Sequence, residues 1–221
     1  MNATPRSSVP WLAAAGVASA LLTMATYSRS RAFLEAGGLV FGVTMAVYFA
    51  WCERQRSALR LALFVAACAA TLGTSAFAAA RLSTFLHGSG GAAGYLPLEG
   101  MACAGGVGTF LTLTATWLLF GPQGPSWIAL FRILSGSVGG AVLGVAGAGV
   151  DRVLLHPPRD PFAAVFLLWQ PGTALLMGLM LQSERKSPGI RASGNRPRWA
   201  LAAIFFVCLL GFYGLCVLRN L

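Results

Sequence analysis

Seven uninterrupted apolar runs determine what this chain can fold into. The runs cover residues 11–27, 34–52, 59–80, 101–120, 127–150, 162–181 and 199–218. A helix needs about 20 apolar residues to cross a hydrocarbon core about 30 Å thick. Because lipid tails offer no hydrogen bonds, a spanning segment must pair its own backbone groups, as an α-helix does. The sequence therefore predicts an all-α fold: a polytopic transmembrane bundle of six to seven spanning helices, forming a single integral membrane domain over residues 1–221.

The composition excludes a soluble protein and disfavours a nucleic-acid-binding one. Charged residues make up 10% of the chain and hydrophobic residues 57%, whereas a soluble domain carries about 25% charged residues. The net charge is +10, but the arginines form short clusters between apolar runs rather than one basic face. The five cysteines lie in or beside apolar runs, without CxxC pairs or disulfide-like spacing. We expect a lipid bilayer as the main partner, and no metal, cofactor or nucleic acid.

The first apolar run admits two interpretations, a cleaved signal peptide or a retained first helix. A basic flank follows the run at Arg29 and Arg31, and no clear A-x-A cleavage site lies near its end. Both features favour a retained helix.

Orientation follows from the distribution of Lys and Arg, because positively charged loops stay in the cytoplasm. One side of the membrane collects ten of these residues, five of them in the 182–198 segment, and the other side collects six. We therefore expect a cytoplasmic N-terminus, a basic cytoplasmic loop at 182–198 and an inner-membrane location.

Two local patterns predict how the helices pack. Gly136, Gly140, Gly144 and Ala148 are each four residues apart and form a stripe of small residues that another helix can approach closely. In the sixth run, the Gln170-Pro171-Gly172 segment lies near mid-membrane, where proline removes a backbone hydrogen bond and favours a kink. Packing alone accounts for the stripe, and a substrate cavity beside the kink is an alternative that the sequence leaves open.

The residues able to carry chemistry collect on the outer side of this topology. Cys103 is predicted to lie in the first turn of its helix, where backbone N–H groups and the helix dipole favour the thiolate. Arg152 and His156 are four residues apart, so one helix face could present both. The full outer set is His87, Glu99, Cys103, Asp151, Arg152, His156, Arg159 and Asp160.

The stretch from Tyr95 to Thr116, with Ala102-Cys103-Ala104-Gly105 at the helix start, resembles the Cys motif of the exosortase/archaeosortase family. The resemblance implies a membrane-embedded cysteine transpeptidase or protease that processes C-terminal sorting signals of exported proteins at the extracytoplasmic face. Cys103 would be the nucleophile, Arg152 would stabilise the thiolate or oxyanion, and His156 would be the general base. The sequence departs from the family at Gly149, where the family commonly has Asn, and in the short spacer between Arg152 and His156.

Two other classes of function remain open. A non-enzymatic membrane protein, either a small transporter or an accessory subunit, would use mid-membrane residues such as Gln170 and tolerate replacement of Cys103. A membrane enzyme acting on lipids would use His87 and Glu99 as acid and base, although nothing in their spacing favours it.

Overall fold

A computed structural model describes residues 9–27, 34–53, 55, 57–88, 97–121, 126–154, 163–185 and 196–219. In these ranges the chain forms seven helices and no strand, which confirms the predicted all-α bundle. The helices are α1 (Val9–Tyr27), α2 (Leu34–Trp51), α3 (Ala58–His87), α4 (Leu98–Phe120), α5 (Ser126–Leu154), α6 (Ala163–Arg185) and α7 (Arg196–Arg219).

Four of the described helices contain a segment long and apolar enough to cross a membrane by length and composition. These segments lie in α3, α4, α5 and α6, and α1, α2 and α7 contribute shorter apolar helices. A membrane protein is the class that such helices support.

Several helices run beyond the predicted hydrophobic runs. α3 continues to His87, beyond the run at 59–80, and α4 begins at Leu98, before the run at 101–120. The basic loop expected at 182–198 is shorter, because α6 extends to Arg185 and α7 begins at Arg196. Hydropathy marks only the part of a helix that is buried in lipid, whereas polar residues can continue the same helix into the interface. The central part of that loop, 186–195, lies outside the described residues.

Local hydrogen bonds fix some of these ends. Ser57 caps the start of α3, where its hydroxyl accepts a hydrogen bond from the Arg60 backbone N–H at 3.4 Å. After His87, Gly88 adopts a positive φ of 69°, a conformation that glycine reaches without steric cost. At the end of α4, the Gly121 N–H donates to the carbonyls of Thr116 and Trp117.

Helices α1 to α6 close into a ring, which we call the six-helix ring. Each helix packs against its neighbours in sequence, and α6 packs against α1 to complete the circuit. Inside the ring, α6 also contacts α4 and α2, while α7 lies outside against α3 and α4. Residues distant in sequence therefore meet at the centre of the ring.

The glycine stripe of α5 forms the contact with α4, as the sequence predicts. A Cβ atom on Gly140 would lie 2.5 Å from the Thr109 Cβ and 2.6 Å from the Gly105 carbonyl oxygen. A Cβ on Gly144 would lie 3.4 Å from the Gly105 Cα, and Ala148 is buried one turn further along. The two backbones pack so closely that even a methyl group at Gly140 has no room.

Candidate functional site

The Gln170 side chain connects three helices in the interior of the ring. It is fully buried in α6. Its Nε2 donates to the Thr23 hydroxyl of α1 at 3.0 Å and to the Gly37 carbonyl of α2 at 3.3 Å. The Thr23 hydroxyl lies 3.4 Å from the Gln170 Oε1, so it can donate in return. A buried amide without such partners would be costly, so these contacts hold Gln170 in one place.

The neighbouring residues of α6 connect to the opposite wall of the ring. The Trp169 Nε1 donates to the Thr109 hydroxyl at 3.0 Å and to the Gly105 carbonyl at 3.2 Å, both in α4. The Thr109 hydroxyl also lies 3.2 Å from the Thr173 hydroxyl. We refer to Thr23, Thr109, Trp169, Gln170 and Thr173 as the polar centre.

α6 continues as a helix through the middle of the polar centre. Pro171 lies inside α6, which remains helical from Ala163 to Arg185. Proline cannot donate a hydrogen bond to the carbonyl four residues earlier, so α6 lacks one backbone hydrogen bond beside Gln170. α1 approaches this point closely, since a Cβ on Gly16 would lie 2.7 Å from the Pro171 Cα.

The buried polar residues around the centre are uncharged. Among the residues whose side-chain burial the structure describes, no Asp, Glu, Lys, Arg or His is buried, and all the buried polar residues except Gln170 are Ser or Thr. Some of these hydroxyls bond to their own helix, as Thr112 does to the Gly108 carbonyl at 2.8 Å. Within the described part of the chain, three buried hydroxyls have no hydrogen-bond partner: Ser19, Thr71 and Thr74. The buried polar side chains that the structure describes can therefore offer hydrogen bonds but carry no charge.

The sequence identified only part of the polar centre. Gln170 stood out as an amide at mid-membrane, but Thr23, Thr109, Trp169 and Thr173 did not. The clustering of threonines in α4, at Thr109, Thr112, Thr114 and Thr116, is a signal that could have indicated a polar helix face. Thr114 is an exception, because its side chain is only partly buried, and its hydroxyl donates to the Phe110 carbonyl of its own helix.

The structure places two of the three predicted catalytic residues. Cys103 lies in the second turn of α4 and is partly buried. Arg152 lies in the last turn of α5 and is exposed. His156 lies outside the described residues, so the predicted base is not located. Among the described residues, no hydrogen bond joins Cys103 to another side chain, and the predicted catalytic arrangement stays a prediction.

The packing of α4 against α5 determines the positions of Cys103 and Arg152 along the helix axes. A Cβ on Gly144 would lie 3.1 Å from the Met101 carbonyl carbon, which aligns these two positions. Arg152 follows Gly144 by eight residues, or about 12 Å along the helix axis at 1.5 Å per residue. Cys103 follows Met101 by two residues, about 200° around α4, so the two side chains lie on different faces of the helix. Direct contact between the two side chains would need the Arg152 side chain to extend back along the bundle.

His87 and Glu99 do approach each other, at the end of α3 and the start of α4. The His87 Nε2 lies 3.7 Å from a Glu99 carboxylate oxygen, and each side chain is about half exposed, at 45% and 49%. An ion pair with this exposure contributes little to stability. Glu99 precedes Cys103 by one helical turn, so the three residues lie at one end of the bundle.

Within the described residues, no group of three or more His, Cys, Asp and Glu side chains has an arrangement that could hold a metal ion. Comparisons with protein-family models, curated proteins and solved structures give no match to this chain. They leave the resemblance to the exosortase family untested.

Proposed function

We propose that the protein is a small non-enzymatic membrane transporter that passes uncharged polar solutes through the centre of the six-helix ring. The observation that carries the proposal is the polar centre, where hydrogen-bonding groups from α1, α4 and α6 meet in the interior. In keeping with the Lys and Arg distribution, we place the protein in the inner membrane with a cytoplasmic N-terminus.

The chemistry of the interior favours a neutral solute. An ion in a buried, low-dielectric site needs an opposite charge or a complete set of ligands, because desolvation is costly. The polar centre instead provides an amide, an indole N–H and hydroxyls, which can donate and accept single hydrogen bonds. Such groups suit the hydroxyl or amide of a small neutral molecule. The buried hydroxyls of Ser19, Thr71 and Thr74 could provide further contacts.

Passage through the ring requires the helices to rearrange, since the polar centre is packed shut. Pro171 provides a place for this movement, because the backbone hydrogen bond missing there lowers the cost of bending α6. Bending at Pro171 would move Trp169 and Gln170, which lie just before it, relative to Thr109 and Thr23. The same residues would thus bind the solute and control access to it.

Osmotic swelling of proteoliposomes tests the proposal, with glycerol and urea as probe solutes. We expect the wild-type protein to raise the permeability to at least one probe above that of protein-free vesicles. Thr173→Val keeps the side-chain shape but removes a hydroxyl, and should lower the rate about fivefold for the loss of one hydrogen bond. Thr114→Val removes a hydroxyl outside the polar centre and serves as the matched control. A permeability equal to that of empty vesicles for both probes, with correctly folded protein, would count against the proposal.

The exosortase-like cysteine transpeptidase is a second candidate, because Cys103 is partly accessible beside the His87–Glu99 pair. In that mechanism the Cys103 thiolate attacks a peptide carbonyl, and the C–N bond breaks. The leaving amine takes a proton from a histidine, and an amine or water then releases the acyl group. The substrate would be the C-terminal tail of an exported protein.

Co-expression with a tagged, tail-anchored exported protein tests the second candidate. Cleavage of the tail that stops in Cys103→Ser, but continues in Thr173→Val, would establish the enzyme and displace the transport proposal. Separate His156→Ala and His87→Ala variants would then identify the histidine that acts as base. Unchanged processing in Cys103→Ser would remove the protease.

A further inference from the structure

A groove on the outside of the six-helix ring has features that the transport proposal does not use. Its volume is about 300 Å³, at the lower end of the range for small-molecule pockets. Leu113 of α4 forms its floor. The walls come from the early part of α5 and the later part of α6, and comprise Phe131, Arg132, Ser135, Gly136, Leu176, Leu179 and Met180.

The groove opens toward the hydrocarbon that surrounds the bundle. Phe131 is 68% exposed and Leu179 is 48% exposed, so its rim consists of side chains that face lipid tails. Apart from Arg132 and Ser135, the residues that line it are apolar or glycine. A molecule that enters from the side must therefore be compatible with lipid along most of its length.

Arg132 gives one end of the groove a positive charge. It lies six residues after the start of α5 at Ser126, or about 9 Å along the helix axis. At that depth an arginine side chain can extend to the headgroup region while its methylenes stay among apolar groups. α6 ends at Arg185 at the same end of the bundle. The groove thus combines an apolar surface with the cationic side chain of Arg132 near one end of the bundle.

We propose that this groove is a binding site for an anionic phospholipid. The phosphate of the lipid pairs with the Arg132 guanidinium, and one acyl chain lies along Leu113, Gly136 and Leu176. Basic pockets between membrane helices recognise anionic headgroups by this combination of charge and apolar surface. Gly136 contributes by leaving room for the Leu113 side chain that forms the floor, because a Cβ on Gly136 would collide with the Leu113 Cδ1. The lipid would bridge α5 and α6 and bind independently of any solute in the polar centre.

Native mass spectrometry of the full-length purified protein tests the site. The probes are phosphatidylglycerol and phosphatidylcholine with identical acyl chains, added to the detergent-solubilised protein. We expect wild type to bind phosphatidylglycerol about tenfold more tightly, as one charge-assisted contact would give. Arg132→Gln should abolish this preference while retaining weak binding of both lipids through the groove. Arg81→Gln is the control, because it removes the same charge at a different place. Arg81 is exposed and lies on α3 against the Phe77 ring.

Two further measurements locate the lipid. Ser135→Phe should weaken binding of both lipids by filling the groove, with the charge of Arg132 intact. Phosphatidylglycerol carrying a photoreactive acyl chain should form adducts within residues 131–136 and 176–180. The proposal is overturned if wild type and Arg132→Gln prefer phosphatidylglycerol to the same extent, or if Arg81→Gln loses the preference as fully as Arg132→Gln. It is also overturned if the adducts are confined to other helices. Circular dichroism and gel filtration of each variant establish that it is folded.

Discussion

The contact between α4 and α5 provides the sharpest test of the fold. Substituting Gly140→Ala places a methyl group 2.5 Å from the Thr109 Cβ and 2.6 Å from the Gly105 carbonyl oxygen. Real Cβ atoms do not approach other atoms so closely, so either α5 moves away from α4 or Thr109 changes its rotamer. Overpacking of this kind costs about 1–3 kcal/mol.

The displacement of Thr109 adds to that cost. Its hydroxyl accepts from Trp169 and lies 3.2 Å from the Thr173 hydroxyl, and losing one such bond costs about 1 kcal/mol. Alanine recovers about 1 kcal/mol through its higher helix propensity. The free energy of unfolding should therefore fall by about 2 kcal/mol.

Gly149→Ala is the matched control, because Gly149 lies on the same helix and a Cβ there has no atom within 4 Å. This change should leave stability unaltered or raise it by up to about 1 kcal/mol. Both variants would be compared by thermal unfolding in one detergent, followed by tryptophan fluorescence. If Gly140→Ala unfolds at the same temperature as Gly149→Ala, α4 and α5 do not pack through the glycine stripe as described.

Three shorter predictions concern individual side chains or a pair of them. Gln170→Leu should lower the free energy of unfolding by about 1–3 kcal/mol in denaturant, because the groups that bond to the amide stay buried and lose their partner. A variant as stable as wild type would contradict this hydrogen-bond network. A double-mutant cycle on His87 and Glu99 should give a coupling of about 0.2–1 kcal/mol, and a value above about 2 kcal/mol would indicate a desolvated pair. In detergent, N-ethylmaleimide should modify Cys103 before Cys68, which is only 3% exposed, and equal rates by mass spectrometry would be inconsistent with the described burial.

The fold class could be predicted because few structures are compatible with seven apolar runs. A backbone in lipid must pair its own hydrogen-bonding groups, so the lengths of the apolar runs and the spacing of the charges were sufficient to predict a helical bundle. The α5 glycine stripe was also readable, since a four-residue repeat of small residues has one main physical use in a membrane helix. The helix ends were less predictable, because an apolar run marks only the part of a helix that lies in lipid, whereas α3 continues beyond its run to His87.

The polar centre was harder to predict because its residues belong to helices that are far apart in sequence. Thr23 and Gln170 are 147 residues apart, and nothing in either run identifies the other as its partner. Threonine is also ambiguous, since its hydroxyl can bond to its own helix, as at Thr112, or to another helix, as at Thr109. Cys103 could be chosen as a candidate because cysteine is a reactive residue type. The side chains that surround it could not be predicted, because they depend on the rotation of each helix about its axis, which the sequence does not specify.

The closed ring also affects the order in which the protein can assemble during synthesis. Translation of the 147 residues between Thr23 and Gln170 takes roughly 7–30 s at about 5–20 residues per second. Throughout that interval, α1 to α5 can form only an open arc. The Thr23 hydroxyl can bond to the Gln170 amide only after α6 has been made. Until α6 is made, the contact with α2 is the ring contact that is available to α1. α7 is made last, after all six helices of the ring, and packs outside the ring against α3 and α4.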